Sequence, residues 1–169
     1  MNLFPALCVM SALALGQATT TTSTSTTTAK PAAKAAAKAG AKAGRTVEIT
    51  TGDNMKYDVT EITAKPGESL RVVVKNTGAM PKIAMAHNFV LLKAGTDVAE
   101  FTKAAFNARE TDFIPPAMKD AVLANTALAG AGETVEITFK APAKPGTYTF
   151  VCSFPGHFAL GMRGTLTVK

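Results

Sequence analysis

From Arg45 onward the chain breaks into short runs of alternating apolar and polar residues, and this pattern limits the fold more than any other sequence feature. β-branched and aromatic residues recur at every second position, which is the period of a strand with one buried face. Seven runs are strand candidates: residues 46–51, 55–61, 69–75, 87–92, 133–140, 147–152 and 165–169. Turn sequences such as Lys65-Pro66-Gly67 and Lys144-Pro145-Gly146 separate them. The pattern predicts an all-β fold.

One segment breaks the strand pattern and predicts a helix. Between residues 97 and 108, apolar side chains recur at intervals of three and four, which places them on one helical face. They are Val98, Phe101, Ala105 and Ala108. Thr96 fits the N-cap position, and Pro115-Pro116 prevents any continuation. The expected architecture is therefore a Greek-key β-sandwich formed by residues 45–169, with one helical insertion.

The first 44 residues differ in composition and predict no folded domain. Residues 3–15 form an apolar stretch followed by Gly16-Gln17-Ala18, so we expect residues 1–18 to be a signal peptide that is removed on export. A membrane anchor is the alternative, although the stretch is shorter than the roughly 20 residues that span a bilayer. Residues 19–44 are rich in Ser and Thr and then in Ala and Lys. We expect a disordered tether there, which serves as a solvated spacer or as a basic arm for an acidic partner or the envelope surface, where it could tether the protein.

The net charge of +6 does not indicate a nucleic-acid-binding protein. Four of the 18 basic residues lie in the tether: Lys30, Lys34, Lys38 and Lys42. The other 14 are balanced by 12 acidic residues, which leaves about +2 on residues 45–169. So small an excess provides no positive surface for a phosphate backbone, and we expect no nucleic-acid partner.

Residues with metal-binding side chains recur near the C-terminus of a chain in which they are rare. Cys152, His157 and Met162 follow one another at five-residue intervals, and His87 is the only other histidine. A turn at Pro155-Gly156 could bring the three heteroatoms to one end of the sandwich, and His87 could reach them from another strand. A thiolate, two imidazoles and a weak thioether form the ligand set of a blue-copper site.

Other roles use some of the same residue types. Structural zinc prefers four strong ligands. A cysteine–histidine nucleophilic pair fits the residues, but no acidic residue near His87 or His157 in the sequence is an obvious orienting group. Taken singly, a buried cysteine, a hydrogen-bonded histidine and a packed methionine are also ordinary structural residues. Their joint occurrence favours the metal site.

The same residues carry a resemblance to a known family. The segment from Pro145 to Lys169 reads PGTYTFVCSFPGH, then FALGMRGTLTVK, and closely resembles the azurin branch of the cupredoxins. Residues 80–91 are similar to the region that bears the family's first histidine ligand. Residues 122–133 resemble the strand and turn after its helical insertion, and residues 53–55 its early turn. The resemblance covers essentially all of residues 45–169.

The resemblance implies a type 1 blue copper protein that carries single electrons in the bacterial periplasm and is not an enzyme. It implies His87, Cys152 and His157 as equatorial ligands of one Cu(I)/Cu(II) ion, with Met162 as the axial ligand. The backbone carbonyl of Ala86, where azurins have glycine, would be a further weak contact. Asn88 would join the two ligand-bearing loops by hydrogen bonds.

Three features differ from azurin. Gly161 adds one residue between His157 and Met162, a spacing more like that of auracyanins. The chain lacks the cysteines of the azurin disulfide, and it has no tryptophan. Stability must therefore come from packing alone.

Redox proteins such as cytochromes are the expected partners of a monomeric carrier with no stable membrane insertion. We expect the ring edge of His157 to meet solvent within an apolar docking face formed by Met80, Ile83, Phe154, Pro155, Phe158, Ala159 and Leu160. Such a face suits the small, short-lived encounters of redox proteins. A periplasmic copper storage or delivery protein is the alternative function. A copper-dependent enzyme would need more histidines than the two present.

Overall fold

The computed structural model describes residues 44–169. Their strands are β1 (Arg45–Thr51), β2 (Glu61–Ala64), β3 (Ser69–Asn76), β4 (Val90–Leu92), β5 (Val122–Asn125), β6 (Thr134–Lys140), β7 (Gly146–Val151) and β8 (Arg163–Val168). Between β4 and β5 lie one α-helix, α1 (Val98–Ala105), and two 3-10 helices, Arg109–Thr111 and Pro116–Ala121. The predicted signal peptide and all but the last residue of the predicted tether lie outside the described residues, so both stay predictions.

The strands form two sheets that face each other. One sheet has the order β1-β3-β6, in which β1 runs parallel to β3 and β6 runs antiparallel to it. The other has the order β2-β8-β7-β4-β5, in which only β2 and β8 are parallel neighbours. The chain crosses repeatedly from one sheet to the other, as in a Greek key. The predicted all-β sandwich with a helical insertion is confirmed.

Alternating residues of both sheets form the main core. In β3, Leu70, Val72 and Val74 are fully buried, and the residues between them are half-buried or exposed. In the opposite sheet, Phe150 of β7 packs against Phe89, which directly precedes β4, and their ring centroids are 4.9 Å apart. The core of the described residues therefore follows the strand period visible in the sequence.

Strand β4 is buried on both faces, and the helical insertion is the reason. Leu91 belongs to the core between the sheets. Val90 and Leu92 point the other way and pack with Phe101 of α1 and with Ile114. Because the insertion covers the outer face of the second sheet here, a run of three apolar residues replaces the usual alternation.

The predicted strand at residues 55–61 is wrong. Met55 has a φ of 54°, in the left-handed region, which an extended strand does not allow. The Asn54 side chain accepts a hydrogen bond from Lys56 N, and Asp58 Oδ1 accepts one from Thr50 N. These local hydrogen bonds satisfy the backbone in place of a sheet ladder, so the chain forms a strand only later, in β2.

Two further boundaries differ from the prediction. In the predicted strand 87–92 only β4 is continuous strand, because His87 forms an isolated bridge with Ala129 and Phe89 N donates to Thr126 Oγ1. β5 was not among the seven runs of the pattern, although the family resemblance implied a strand after the insertion. It is short and contains one buried residue, Ala124, so its period is weak.

The N-cap of the helix lies one residue later than predicted. Asp97, not Thr96, is the N-cap of α1, and its side chain accepts a hydrogen bond from Glu100 N at 3.0 Å. The Thr96 hydroxyl instead donates to the Lys93 carbonyl. Within residues 44–169, no helix has the length and apolar composition needed to cross a membrane.

Candidate metal centre

The side chains of His87, Cys152 and His157 meet at one end of the sandwich. One ligand atom from each lies within 4.8 Å of the others. Cys152 Sγ is 3.4 Å from His157 Nδ1, and the two imidazole rings are 4.9 Å apart between centroids. Cys152 follows the end of β7, and His157 lies on the loop that leads to β8. His87 comes from the segment before β4, so the fold brings together donors from two separate parts of the chain.

The sulfur atom of Cys152 is buried and is held as a thiol when no metal is bound. Cys152 has no exposed surface, and burial raises the pKa of its thiol to about 12. The backbone N–H groups of Asn88 and Phe154 lower this pKa in part, since they favour the thiolate. A cation beside the sulfur would displace the proton and replace it as the partner of the thiolate.

Both histidines are neutral at pH 7. Burial is the main cause of the lowered pKa of His157, which is about 4, and the neighbouring His87 lowers it further. Burial also lowers the pKa of His87, although the Asp53 carboxylate and the Gly52 backbone oppose the change in part. Neutral imidazoles have a free lone pair, which is the form that binds metal ions.

His87 shows directly that the site suits a metal ion. Its side chain is fully buried, and neither ring nitrogen has a hydrogen-bond partner that meets normal geometry within residues 44–169. A buried polar atom without a partner is costly, and a metal ion supplies the missing partner. One thiolate and two imidazoles, with no carboxylate in the described cluster, match the preference of copper for soft and intermediate donors.

Asn88 joins the two segments that carry the ligands. Its Oδ1 accepts a hydrogen bond from Ser153 N at 2.9 Å, and its Nδ2 donates to Ser153 Oγ at 2.9 Å. Asn88 Nδ2 also approaches the carbonyl of Asp112 at 3.4 Å. Asn88 follows His87 and Ser153 follows Cys152, so this buried amide fixes the spacing between the two ligand-bearing segments.

Met162 and Ala86 both lie next to the cluster. The Met162 side chain is fully buried in the main core, and its carbonyl accepts a hydrogen bond from Cys152 N at 3.1 Å. Met162 N donates to the His157 carbonyl at 3.0 Å, which closes the loop between the last two predicted ligands. The Ala86 carbonyl oxygen is 3.9 Å from Cys152 Sγ.

Sequence reasoning missed several polar groups that support the site. Asn76 Nδ2 donates to the carbonyl of Ala129, the residue that bridges to His87, and the Tyr57 hydroxyl donates to the Asn88 carbonyl. Asn76 lies in an Asn-Thr-Gly turn and Tyr57 in an apparent strand. Neither position carried a signal that distinguished a supporting residue from an ordinary one.

The surface near His157 is apolar. His157 is 3% exposed and His87 is fully buried, so the small solvent contact of the pair belongs to His157. Of the predicted docking face, Met80, Ile83, Ala159 and Leu160 are exposed, whereas Phe154, Pro155 and Phe158 are half-buried. Phe154 packs on Phe113 and on the His157 ring, with centroids 5.0 and 4.8 Å away. Phe106 of the helical insertion, 56% exposed, adds an apolar side chain that the sequence reasoning did not include.

The sandwich and its buried His–Cys–His cluster define a copper-binding β-protein with one candidate metal cluster among residues 44–169. A family model described as copper binding proteins, plastocyanin/azurin family, matches residues 43–169. The chain belongs to this family, and its cofactor is copper. The resemblance to the azurin branch of the cupredoxins is thereby confirmed.

Individual relatives agree with the family assignment. Auracyanin-B of Chloroflexus aurantiacus is 38% identical over 126 residues, which cover 73% of this chain and 52% of auracyanin-B. Azurin iso-2 of Methylomonas sp. strain J is 38% identical over 125 residues, which cover 72% of this chain and 95% of that azurin. The chain thus spans about half the length of auracyanin-B and nearly all of the azurin.

A solved structure is similar throughout the described domain. The crystal structure of sodium-dithionite-reduced auracyanin from the photosynthetic bacterium Roseiflexus castenholzii matches with a TM-score of 0.66 and 41% sequence identity. The match covers 76% of this chain and 99% of the auracyanin chain. Fold and sequence therefore lead to the same family.

Proposed function

We propose that this protein is a one-electron carrier with a mononuclear type 1 copper site. His87, Cys152 and His157 are the strong ligands, Met162 is the weak axial ligand, and the Ala86 carbonyl is a further weak contact. The observation that carries the proposal is the convergence of the three buried donor atoms within 4.8 Å. The buried position of Met162 beside Cys152 and the 3.9 Å approach of the Ala86 carbonyl support the two weak contacts.

A bound copper ion would be stable in two oxidation states that differ by one electron, so it could take up and release that electron. The chain keeps the three donors at nearly fixed positions, because Asn88 binds the segment after Cys152 and the core holds β7 in place. Donors that move little require little reorganisation when an electron is transferred. This rigidity suits electron transfer.

The partners of such a carrier are redox proteins such as cytochromes, which dock through the apolar face around His157. The exposed side chains of Leu160, Met80 and Ile83 support this proposal, since they give a monomer a face for weak, short-lived contacts.

Export to the periplasm, with removal of residues 1–18, follows from the apolar stretch and the Gly-Gln-Ala sequence after it. Sequencing the N-terminus of the mature protein tests this: a chain that begins with Met1 contradicts it.

Absorption and EPR spectra of the copper-loaded protein test the proposed site. We expect an intense visible band from sulfur-to-copper charge transfer, which disappears on reduction and returns on oxidation. Cys152→Ser should abolish the band, because it removes the thiolate. Thr149→Ser, in the same strand but outside the cluster, should leave it unchanged. A colourless wild-type protein that binds copper would contradict the proposal.

The alternative of copper storage or delivery predicts fast exchange of the metal. The three donors are 0–3% exposed, which favours retention. Loss of the blue band to a chelator should therefore be much slower than turnover with a redox partner. Complete loss within the time of a single electron exchange would favour delivery instead.

A further inference from the structure

Residues 52–58, in the segment between β1 and β2, contact both ligand-bearing parts of the chain. Lys56 Nζ donates a hydrogen bond to the carbonyl of Leu160, on the loop between His157 and Met162. The next residue, Tyr57, donates from its hydroxyl to the carbonyl of Asn88. Two consecutive side chains thus reach the two loops that must keep a constant separation.

The Lys56 contact falls where the loop most needs support. The loop contains Gly161, which adds a residue relative to the azurin spacing and has a φ of 91°. Within the described residues, the Leu160 carbonyl just before it accepts no backbone hydrogen bond. A Cβ atom at Gly161 would lie 2.9 Å from Lys56 Nζ, so the amine fills the space beside this peptide. Lys56 therefore supplies the partner that the longer loop lacks.

The charge of Lys56 is not neutralised by a neighbour. No carboxylate lies within 4 Å of its amine in the part of the chain that the structure describes. Its hydrogen bond holds a formal positive charge over the loop that carries His157. A fixed positive charge favours the less positive of two oxidation states at a nearby site.

Tyr57 is buried, and its hydroxyl is satisfied. The residue is 5% exposed, and its ring packs against Phe150 with centroids 5.6 Å apart. Its hydrogen bond reaches the Asn88 carbonyl, in the peptide between Asn88 and Phe89, rather than the Asn88 side chain. The Asn88 residue is therefore held from two directions, by Ser153 and by Tyr57.

The backbone of the 52–58 segment is strained where these two side chains begin. Met55 adopts a φ of 54°, which costs a non-glycine residue free energy. Asp53 anchors the other end of the segment, since its carboxylate accepts from Ala79 N at 2.9 Å. Strain that is retained at such a position often accompanies a functional constraint.

We propose that the 52–58 segment is a third support of the copper site, in which Lys56 is a positioning residue that raises the reduction potential and Tyr57 holds the His87 segment. The inference rests on the proposed electron-carrier function. It assigns to Lys56 two separable effects, a charge near the site and a hydrogen bond to the loop. Two readouts report the two effects, the redox equilibrium for the charge and amide exchange for the hydrogen bond, and control variants separate both from general stability.

Lys56→Met removes charge and donor at similar length, and Lys56→Arg keeps both. Lys140→Met is the matched control, because Lys140 lies at the end of β6 that pairs with Ser69, away from the site. With the copper-loaded proteins in a redox buffer of fixed potential, Lys56→Met should shift the equilibrium about fivefold toward the oxidised form. Lys56→Arg and Lys140→Met should stay close to wild type. A wild-type ratio in Lys56→Met, or an equal shift in Lys140→Met, would overturn the role of the charge.

A second measurement uses metal-free protein and does not depend on copper chemistry. Hydrogen exchange of the Gly161 and Met162 amides should be several-fold faster in Lys56→Met than in wild type, because their loop loses its outer hydrogen bond. In Tyr57→Phe the acceleration should fall on the His87 and Phe89 amides. Exchange that speeds equally at all amides would indicate general destabilisation and overturn the positioning role.

The two proposals fail in different ways. If wild-type protein never shows the charge-transfer band, the electron-carrier function fails whatever the exchange data show. If wild type is blue, and Lys56→Met matches it in both redox equilibrium and amide exchange, only the inference about the 52–58 segment is wrong.

Discussion

Single residues of the site owe their protonation states to burial. Cys152 is a thiol and both histidines are neutral in the metal-free fold, because burial disfavours every charged form there. These states follow from position and not from residue type, since the same side chains on the surface would have ordinary pKa values. The stability of the metal-free protein should therefore depend on pH in a way that the sequence alone does not predict.

The stability of metal-free protein should have an optimum between about pH 6.5 and 9. The pKa of His157 is about 4 in the fold against 6.5 normally, so below pH 6.5 the unfolded chain binds a proton that the native state does not. Stability is then lost as pH falls from 6.5 to about 4, by up to about 3 kcal/mol. The raised pKa of Cys152 works on the other side, because above about pH 9 only the unfolded chain loses the thiol proton.

Denaturant unfolding of metal-free protein at closely spaced pH values measures this profile. The surface carboxylates with lowered pKa values, Glu68 and Glu133, act only as the pH falls below about 5, so they do not obscure the histidine effect between pH 7 and pH 5. His157→Gln should flatten the acid side. An unchanged unfolding midpoint between pH 7 and pH 5 would show that the histidines are not buried as neutral rings.

Asn88→Ala tests the link between the two ligand-bearing segments. It leaves Ser153 N without its acceptor in a buried place, so the free energy of unfolding should fall by about 2–3 kcal/mol. Copper should also be lost faster to a chelator, since the spacing of the ligands is no longer fixed. Asn107→Ala, at an exposed position after α1, is the control. Equal chelator kinetics in both variants would refute the role of Asn88.

At the scale of elements, the sequence predicted strands well where one face is buried. The alternation of Leu70, Val72 and Val74 is a direct record of packing, and β3 is found within one residue of its prediction. The strand prediction for residues 55–61 was wrong because an alternating pattern does not reveal a left-handed residue or side chains that bind the local backbone. The three residues of the proposed metal site could be singled out for another reason, since Cys152, His87 and His157 are rare residue types in this chain. Their supports, Tyr57 and Asn76, are not metal-binding residue types, and their roles depend on contacts distant in sequence.

The start of α1 gives a test at this scale. Asp97→Ala removes the side chain that accepts the Glu100 N–H, so the free energy of unfolding should fall by about 1 kcal/mol. Thr96→Ala removes a hydroxyl that caps nothing in the helix and should cost less. Urea unfolding of both variants under one set of conditions decides between the caps. A larger fall in the free energy of unfolding for Thr96→Ala would instead support Thr96 as the N-cap.

At the scale of the whole molecule, the proposed docking face is assembled from three distant parts of the chain. Met80 and Ile83 come from the segment before His87, Phe106 follows α1, and Leu160 lies on the ligand loop. The two sheets and the insertion must all be in place before these side chains share a surface. The face is therefore a property of the complete fold.

Leu160→Glu should weaken docking without harm to the metal site. A charge in the apolar face must be desolvated in every encounter, so electron exchange with a redox protein should slow by about tenfold. The visible band should persist, because the Leu160 side chain is exposed and is not a ligand. Thr138→Glu places the same charge on an exposed position of β6 as a control. Equal rates in the two variants would argue against docking at this face.

The ligand set spans a long stretch of chain, and this has a consequence for biosynthesis. Asn88 and Ser153, the residues after His87 and Cys152, are 65 positions apart, and β7 must align beside β4 before they meet. Closing so large a loop is a late step in folding, since its entropy is lost before its contacts form. During synthesis, His87 therefore emerges from the ribosome well before Cys152 and His157. All three donors can therefore bind one copper ion together only after β7 has paired with β4 and β8.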